Sequence, residues 1–259
     1  MNDRILKATT AFLTFTVLSS TAAFAPSDVL QVVSVALLPG EAGAAPGQVQ
    51  VELKLTNNSP RIVTAYRYEL VATYADGKIE KKEAAVDEVS LLANELMRQR
   101  LGAATGGPGA PPEGRPLAPG ATRSLKALIP RSPQAQPPVS VAARVTMVAL
   151  DDCTASGDES ELLALQRSRR SQLEVISAIV SDLQAIKTHS EPAGFAHQLA
   201  AEARKTPSAD PVSRVRRNLL GGVAAAVQRD PKAIEKWLAS YETHLSVLKV
   251  QAVLRGDIK

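Results

Sequence analysis

The chain has 259 residues, with 30 Lys and Arg against 26 Asp and Glu, and its 45% hydrophobic content supplies enough apolar surface to exclude wholesale disorder. A single cysteine, Cys153, excludes an intramolecular disulfide and a thiolate metal cluster. With only three histidines, most dense His/Cys metal sites are excluded as well, and the length suits one or two domains.

Residues 1–25 read as a targeting segment. Arg4 and Lys7 give a positive n-region, residues 11–18 a short apolar h-region, and Ala23-Phe24-Ala25 an A-x-A cleavage signal. The apolar run is shorter than the ~20 residues a membrane span needs. No Cys follows it to carry a lipoprotein anchor. The expectation is a signal peptide cleaved after Ala25 and a periplasmic or secreted protein, with no later stretch apolar enough to span a bilayer. From Pro26 onward 28 basic face 25 acidic side chains, too mild a balance to imply a nucleic-acid partner. That part keeps Phe195, Trp237 and four Tyr, which gives little support for carbohydrate stacking.

The N-terminal half reads as strands. Residues 29–38 are apolar and β-branched and suit a strand covered on both faces. Val49, Val51, Leu53 and Leu55 alternate with polar residues, which puts four apolar side chains on one face. Asn57-Asn58-Ser59-Pro60 is a turn signal. Residues 62–74 form the next strand, with Ile62, Tyr66, Tyr68, Leu70 and Tyr74 at even spacing. Asp76-Gly77 then predicts a type I′ hairpin between Tyr74 and Ile79. Leu125, Ala127 and Ile129 alternate in a fifth strand, and Val139, Val141, Ala143, Val145 and Met147 fall on one face of a sixth. Six short strands separated by turns predict an antiparallel sandwich of immunoglobulin type.

Two features interrupt this pattern. Val89, Leu92, Ala93 and Leu96 have helical spacing within residues 86–101. Residues 102–120 then hold six Gly and five Pro and read as a mobile loop. On the strand end that follows, Cys153 reads as a buried small hydrophobe, with an intermolecular bridge as the alternative.

From Ser156 the period changes to that of helices. Ser156 and Glu159 have capping-box spacing. Leu162, Leu165, Leu173, Ile176, Val180 and Leu183 predict a helix of roughly 25–30 residues with a gap at Arg169. Phe195, Leu199 and Ala203 mark a second helix. Asp210-Pro211 and Asp230-Pro231 mark two further starts. Val215, Leu219, Val223 and Ala226 line the third helix, and Ile234, Trp237, Leu238, Tyr241, Leu245 and Leu248 the fourth. The fold class is thus α+β: an N-terminal immunoglobulin-like antiparallel β-sandwich over 26–155, then a helical region over 156–259.

No G-x-S-x-G, Walker A, G-x-G-x-x-G or H-E-x-x-H pattern is present. His189 and His197 are spaced wrongly for one helical face and read as solvated, and His244 as a boundary residue. Asp151, Asp152, Asp158 and Glu159 surround Cys153 without the spacing of a Ca²⁺ loop and fit a strand end leading into a helix N-terminus. Arg167, Arg169 and Arg170, and Arg214, Arg216 and Arg217, read as surface arginines able to touch anionic lipid or acidic partners. No catalytic, cofactor-binding or metal-ligating residue is assigned, and no cofactor.

Residues 53–59 (Leu-Lys-Leu-Thr-Asn-Asn-Ser), Tyr66 to Leu70, Tyr74-Ala75-Asp76-Gly77 and Leu117-Ala118-Pro119-Gly120 come in a recognisable order. Together they resemble the small immunoglobulin-like modules of exported bacterial proteins, the FxLYD-like group among them, over about residues 28–150. The Phe and the Tyr-Asp pair of FxLYD are absent around Tyr68-Glu69-Leu70. The resemblance implies a sandwich and a non-enzymatic module, and it transfers no functional residue. The expected function is that of an exported, non-enzymatic scaffold or protein-interaction module, with an exposed surface around Tyr66 and Tyr68 as its discriminating feature. The alternatives are membrane-surface association through the basic helices and an enzyme whose site is assembled only in space.

Overall fold

The alternation at Val51, Leu53 and Leu55 does what period two requires. All three side chains are buried, while Glu52, Lys54 and Thr56 between them keep contact with solvent. They lie on β2 (Gln48–Asn57), which pairs antiparallel with β1 (Leu30–Leu38) and β5 (Thr122–Pro130). A second antiparallel sheet has the order β4 (Ile79–Asp87), β3 (Val63–Thr73), β6 (Ser140–Leu150), β7 (Ala155–Gly157). Leu53 and Leu55 of the first sheet share a core with Tyr66, Tyr68, Leu70 and Val148 of the second. This computed structural model describes residues 25–38, 48–100, 116–130, 138–205 and 211–255. The expected signal peptide, except Ala25, and most of the Gly/Pro-rich stretch lie outside the described residues.

The helices are α1 (Pro26–Val29), α2 (Val89–Arg100), α3 (Glu159–Thr188), α4 (Pro192–Lys205), α5 (Pro211–Arg229) and α6 (Ala233–Gln251). The chain is therefore α+β, two antiparallel sheets followed by C-terminal helices. α2 arises within the strand-rich half, yet its Val89, Leu92 and Ala93 join the helical core with Ile179, Leu183, Leu220, Val223 and Leu248. α3 serves two cores along its length. Leu162 and Leu165 cover Ala65, Met147 and Ala149 on the outer face of the second sheet, and Ile176 to Ile186 enter the helical cluster. Each fully buried Leu or Ile contributes about 1.5–3 kcal/mol, so both contacts anchor the helix.

Several local expectations are corrected. β1 is an edge strand paired only with β2, so Leu30 is its one buried residue and Val33, at an irregularity in the register, is 56% exposed. The strand covered on both faces is β3, which lies between β4 and β6. Tyr66 and Tyr68 are consequently buried in the shared core and form no exposed aromatic surface. In the hairpin, Gly77 N–H donates to Tyr74 C=O, Tyr74 N–H donates to Lys78 C=O, and only Gly77 has positive φ (83°). That is a three-residue loop, a type I turn closed by a left-handed glycine, instead of a type I′ turn. The register of β6 against β3 shifts between Arg67 and Tyr68. Thr146 is the extra residue, so Met147 turns away from the face of Val145 and meets α3.

The start of α3 is displaced as well. Residues 155–157 are the short strand β7, and Asp158, not Ser156, caps the helix by accepting the Ser160 N–H at 2.9 Å. Asp230 accepts the Lys232 N–H, but the helix proper begins at Ala233. Among the described side chains of α5 the buried ones are Leu220, Val223, Ala224 and Val227, while Val215 is exposed. The gap in apolar periodicity at Arg169 is a wholly buried arginine, which overturns its expected surface placement.

Candidate functional site

On the outer face of the second sheet, the apolar strip under α3 gives way to charge. Alternation along β3 sends Arg67 and Glu69 to the side opposite Tyr66 and Tyr68. Their cross-strand neighbours bring further charge: Glu83 on β4 lies opposite Glu69, and so does Arg144 on β6. The N-cap and first turn of α3 add Asp158, Ser160 and Glu161, and β7 adds Ser156 and Gly157. Together these residues line a cleft of about 690 Å³, with Pro26, Val145 and Thr146 completing its wall.

Two charge ladders cross this face. Arg67 pairs with Glu83 and lies 3.2 Å from Glu161 Oε1, bridging β4 and α3. Glu69, 4% exposed, accepts Arg144 Nε at 2.6 Å and lies 3.1 Å from Lys81 Nζ. The hydrogen bonds from Lys81 and Arg144 hold its carboxyl below the usual carboxylate range. Ser160 does the same for Asp158 through its hydroxyl and its N–H. Four carboxylates (Glu69, Glu83, Asp158, Glu161) therefore face two guanidiniums in the lining. Among the described residues, Glu161 Oε2 is buried with no hydrogen-bond donor. The arrangement favours a cationic or N–H-bearing group over an anion.

The residues singled out in the sequence are placed elsewhere. Cys153 is buried with φ 70°, and its Sγ donates to Val250 C=O at 3.3 Å. Asp152 closes the preceding turn by accepting Thr154 N–H and Oγ1–H at 3.0 and 2.6 Å. His189 stacks on Phe195 with ring centroids 4.4 Å apart, and His197 pairs with Gln228. His244, half-buried, faces Ser90 Oγ at 3.4 Å, the boundary position expected of it. Among the described residues no group of three His, Cys, Asp or Glu could hold a metal ion. Arg216 makes a two-toothed pair with Asp182 at 2.7 Å per bond, and Arg167 and Arg170 remain exposed. No helix of the described residues is long and apolar enough to cross a membrane.

The cleft residues Arg67, Glu69, Glu83, Arg144 and Glu161 escaped the sequence analysis. For the four on strands the signal was the same period-two alternation used to find those strands, read on its polar face, and for Glu161 it was the acidic first turn of a helix.

No family model matches the chain, and no curated protein does. Among solved structures, a hypothetical protein from Peptoclostridium difficile 630 aligns over 54% of this chain and 91% of its own, with 11% identity and a TM-score of 0.28. A structural genomics target, SoR45, aligns over 48% of this chain and 76% of its own, with 11% identity and a TM-score of 0.24.

Proposed function

We propose that the chain is an exported, non-enzymatic scaffold or protein-interaction module, and that the charged cleft is its contact surface. The carboxylate surplus in that cleft carries the reading. Arg67, Glu69, Glu83 and Arg144 stand on three paired strands and Glu161 on the first turn of a long helix, so the charges are held in place before any partner arrives. Charge set on rigid elements steers a partner and fixes its orientation, and the surplus selects a basic surface. The strand-rich half is, in this reading, an immunoglobulin-like sandwich. Support comes from the first, second and fifth strands forming one sheet against the fourth, third, sixth and seventh, with a shared core between them.

The test is capture from a cell-envelope extract at low salt by the full chain, compared with a Glu83→Lys/Glu161→Lys chain of unchanged circular dichroism. A protein held by the first and released by the second supports the module. Identical retention by both, or retention by neither, overturns the cleft as contact surface. Recovery of the native protein only from the cytoplasmic fraction overturns export.

A further inference from the structure

Charge along the cleft is unevenly divided. Around Arg67 stand three carboxylates among the described residues. Glu83 pairs with it, Glu161 Oε1 lies 3.2 Å from its Nε, and Asp158 is near enough to feel its charge. One guanidinium cannot balance three carboxylates, and Glu161 Oε2 has no donor among the described residues. Around Glu69 the balance is reversed. This single carboxylate lies between two cations, Arg144 at 2.6 Å and Lys81 at 3.1 Å. Glu69 is buried, whereas the side chains of Arg144 and Lys81 are 69% and 62% exposed, so the positive charge is the part that faces solvent. Arg67 and Glu69 are two positions apart on β3 and point to the same side. Their spacing of about 7 Å is the two-residue repeat of any extended chain.

We propose that the cleft recognises an extended segment carrying an arginine and a carboxylate two residues apart, in either chain direction. The inference rests on the reading of this cleft as a contact surface and names what that surface reads. The arginine lodges beside Arg67 against Glu83 and Glu161, and the carboxylate lies on Arg144 and Lys81. An extended segment places residues i and i+2 on one face at the repeat of β3, so both ends are met at once, while adjacent residues fall on opposite faces. Arginine suits the acidic end better than lysine. Its planar fork reaches carboxylates on two different elements, here β4 and α3, where an ammonium acts as a point charge. The strands and the first turn of α3 hold both ends in place, so the spacing is a property of the free chain.

The experiment is an NMR titration of the isolated full chain at low salt with two capped peptides of one composition, Gly-Arg-Ser-Glu-Gly and Gly-Arg-Glu-Ser-Gly. Both are neutral overall, so non-specific attraction is the same for each. The first is expected to bind at least fivefold more tightly, with amide shifts at residues 67–69, 144 and 157–161. Glu83→Gln/Glu161→Gln is expected to weaken both peptides and remove the preference. Lys81→Gln/Arg144→Gln should remove the preference as well, and Lys81→Gln alone, an exposed change, should narrow it. Equal affinity for the two peptides, or binding of neither, overturns the proposal. A preference that survives in both double variants places the site elsewhere on the chain and overturns it too. Capture of an envelope protein does not enter this measurement. A spacing preference with no captured protein leaves the two subsites standing and removes the partner, and a captured protein with equal peptide affinities does the opposite.

Discussion

Arg169 Nη2 lies 3.1 Å from Asp87 Oδ1, and with that contact a wholly buried arginine of α3 is tied to the last residue of β4. Its other bonds run to Thr64 on β3 and to both the side chain and the backbone C=O of Gln251 on α6. The neighbouring Glu88 holds a second buried arginine, Arg123 of β5, and accepts the Leu117 N–H. Two consecutive acids thus clamp the sheet to the helices on one side and to the other sheet on the opposite side. Every nitrogen of the Arg169 guanidinium has an acceptor, which is the condition under which a buried charge is tolerated.

Replacing Arg169 by Met keeps the apolar stem of the side chain but strands Asp87, the Thr64 hydroxyl and the Gln251 amide. The expected loss is about 3–5 kcal/mol, the usual cost of removing one partner of a buried pair. Arg169→Met/Asp87→Asn should lose less than the two single variants combined, because the unpaired carboxylate is gone. Urea denaturation of the four proteins checks this. Additive losses would show that the two side chains do not depend on each other.

Gly157 sits where backbone and space both exclude a side chain. Its φ is 149°, and a Cβ there would lie 2.8 Å from Met147 Cα and Cβ and from Thr146 C=O. Gly157→Ala is expected to cost about 1–3 kcal/mol in backbone strain, with the overlap against β6 added to it. Gly77 is the control. It also has positive φ, but a Cβ meets nothing within 4 Å. Gly77→Ala should cost only about 1–2 kcal/mol, the strain of a left-handed residue. Thermal midpoints rank the two, and an order reversed from this would contradict the close packing of β7 on β6.

Much of the architecture was legible because its signals are local. Period two at Val51, Leu53 and Leu55 marks a half-buried strand whatever the fold around it, and the spacing of Leu162, Ile176 and Leu183 marks a helix. What was not legible depends on neighbours remote in sequence. Residues 30–38 look like an interior strand by composition, but their edge position follows from pairing with β2 alone. Tyr66 and Tyr68 are amphipathic, and only the first sheet standing over them decides that they are buried. Arg169 breaks the apolar stripe of α3, and nothing near it in sequence announces that Asp87, 82 residues away, will neutralise it. The cleft is of the same kind: its charges come from four separated segments, and each alone reads as solvated surface.

Cys153 is held in a turn with its Sγ against Val250 C=O, and burial raises its thiol pKa above the usual value. A protonated, inaccessible thiol is a poor nucleophile. The native chain is therefore expected to react with a disulfide reagent at mildly alkaline pH at least tenfold more slowly than the urea-unfolded chain, and to remain free of intermolecular disulfide on storage. Labelling at the unfolded rate under native conditions would show that the turn opens readily and would restore the bridge as an option.

His244 gives the chain a pH dependence of definite sign. It lies between α6 and the start of α2, facing Ser90, and burial holds its imidazole below its ordinary value, partly offset by the charge of Asp87. The folded state therefore resists a proton that the unfolded chain accepts freely. Stability is fully present above the ordinary imidazole value of about 6.5 and is lost as the pH falls from there through the lower folded-state value, with a slope of at most ~1.4 kcal/mol per pH unit from this one group. Below both values the loss is constant. Arg169 is held on the same Asp87 carboxylate. His244→Phe retains an aromatic body at the α2–α6 contact and removes the proton site. Urea midpoints measured from about pH 7 down to pH 5 should fall for the native chain more steeply than for His244→Phe. Parallel curves would mean that acid sensitivity in this range arises elsewhere, and a native midpoint that rises on acidification would reverse the assigned sign.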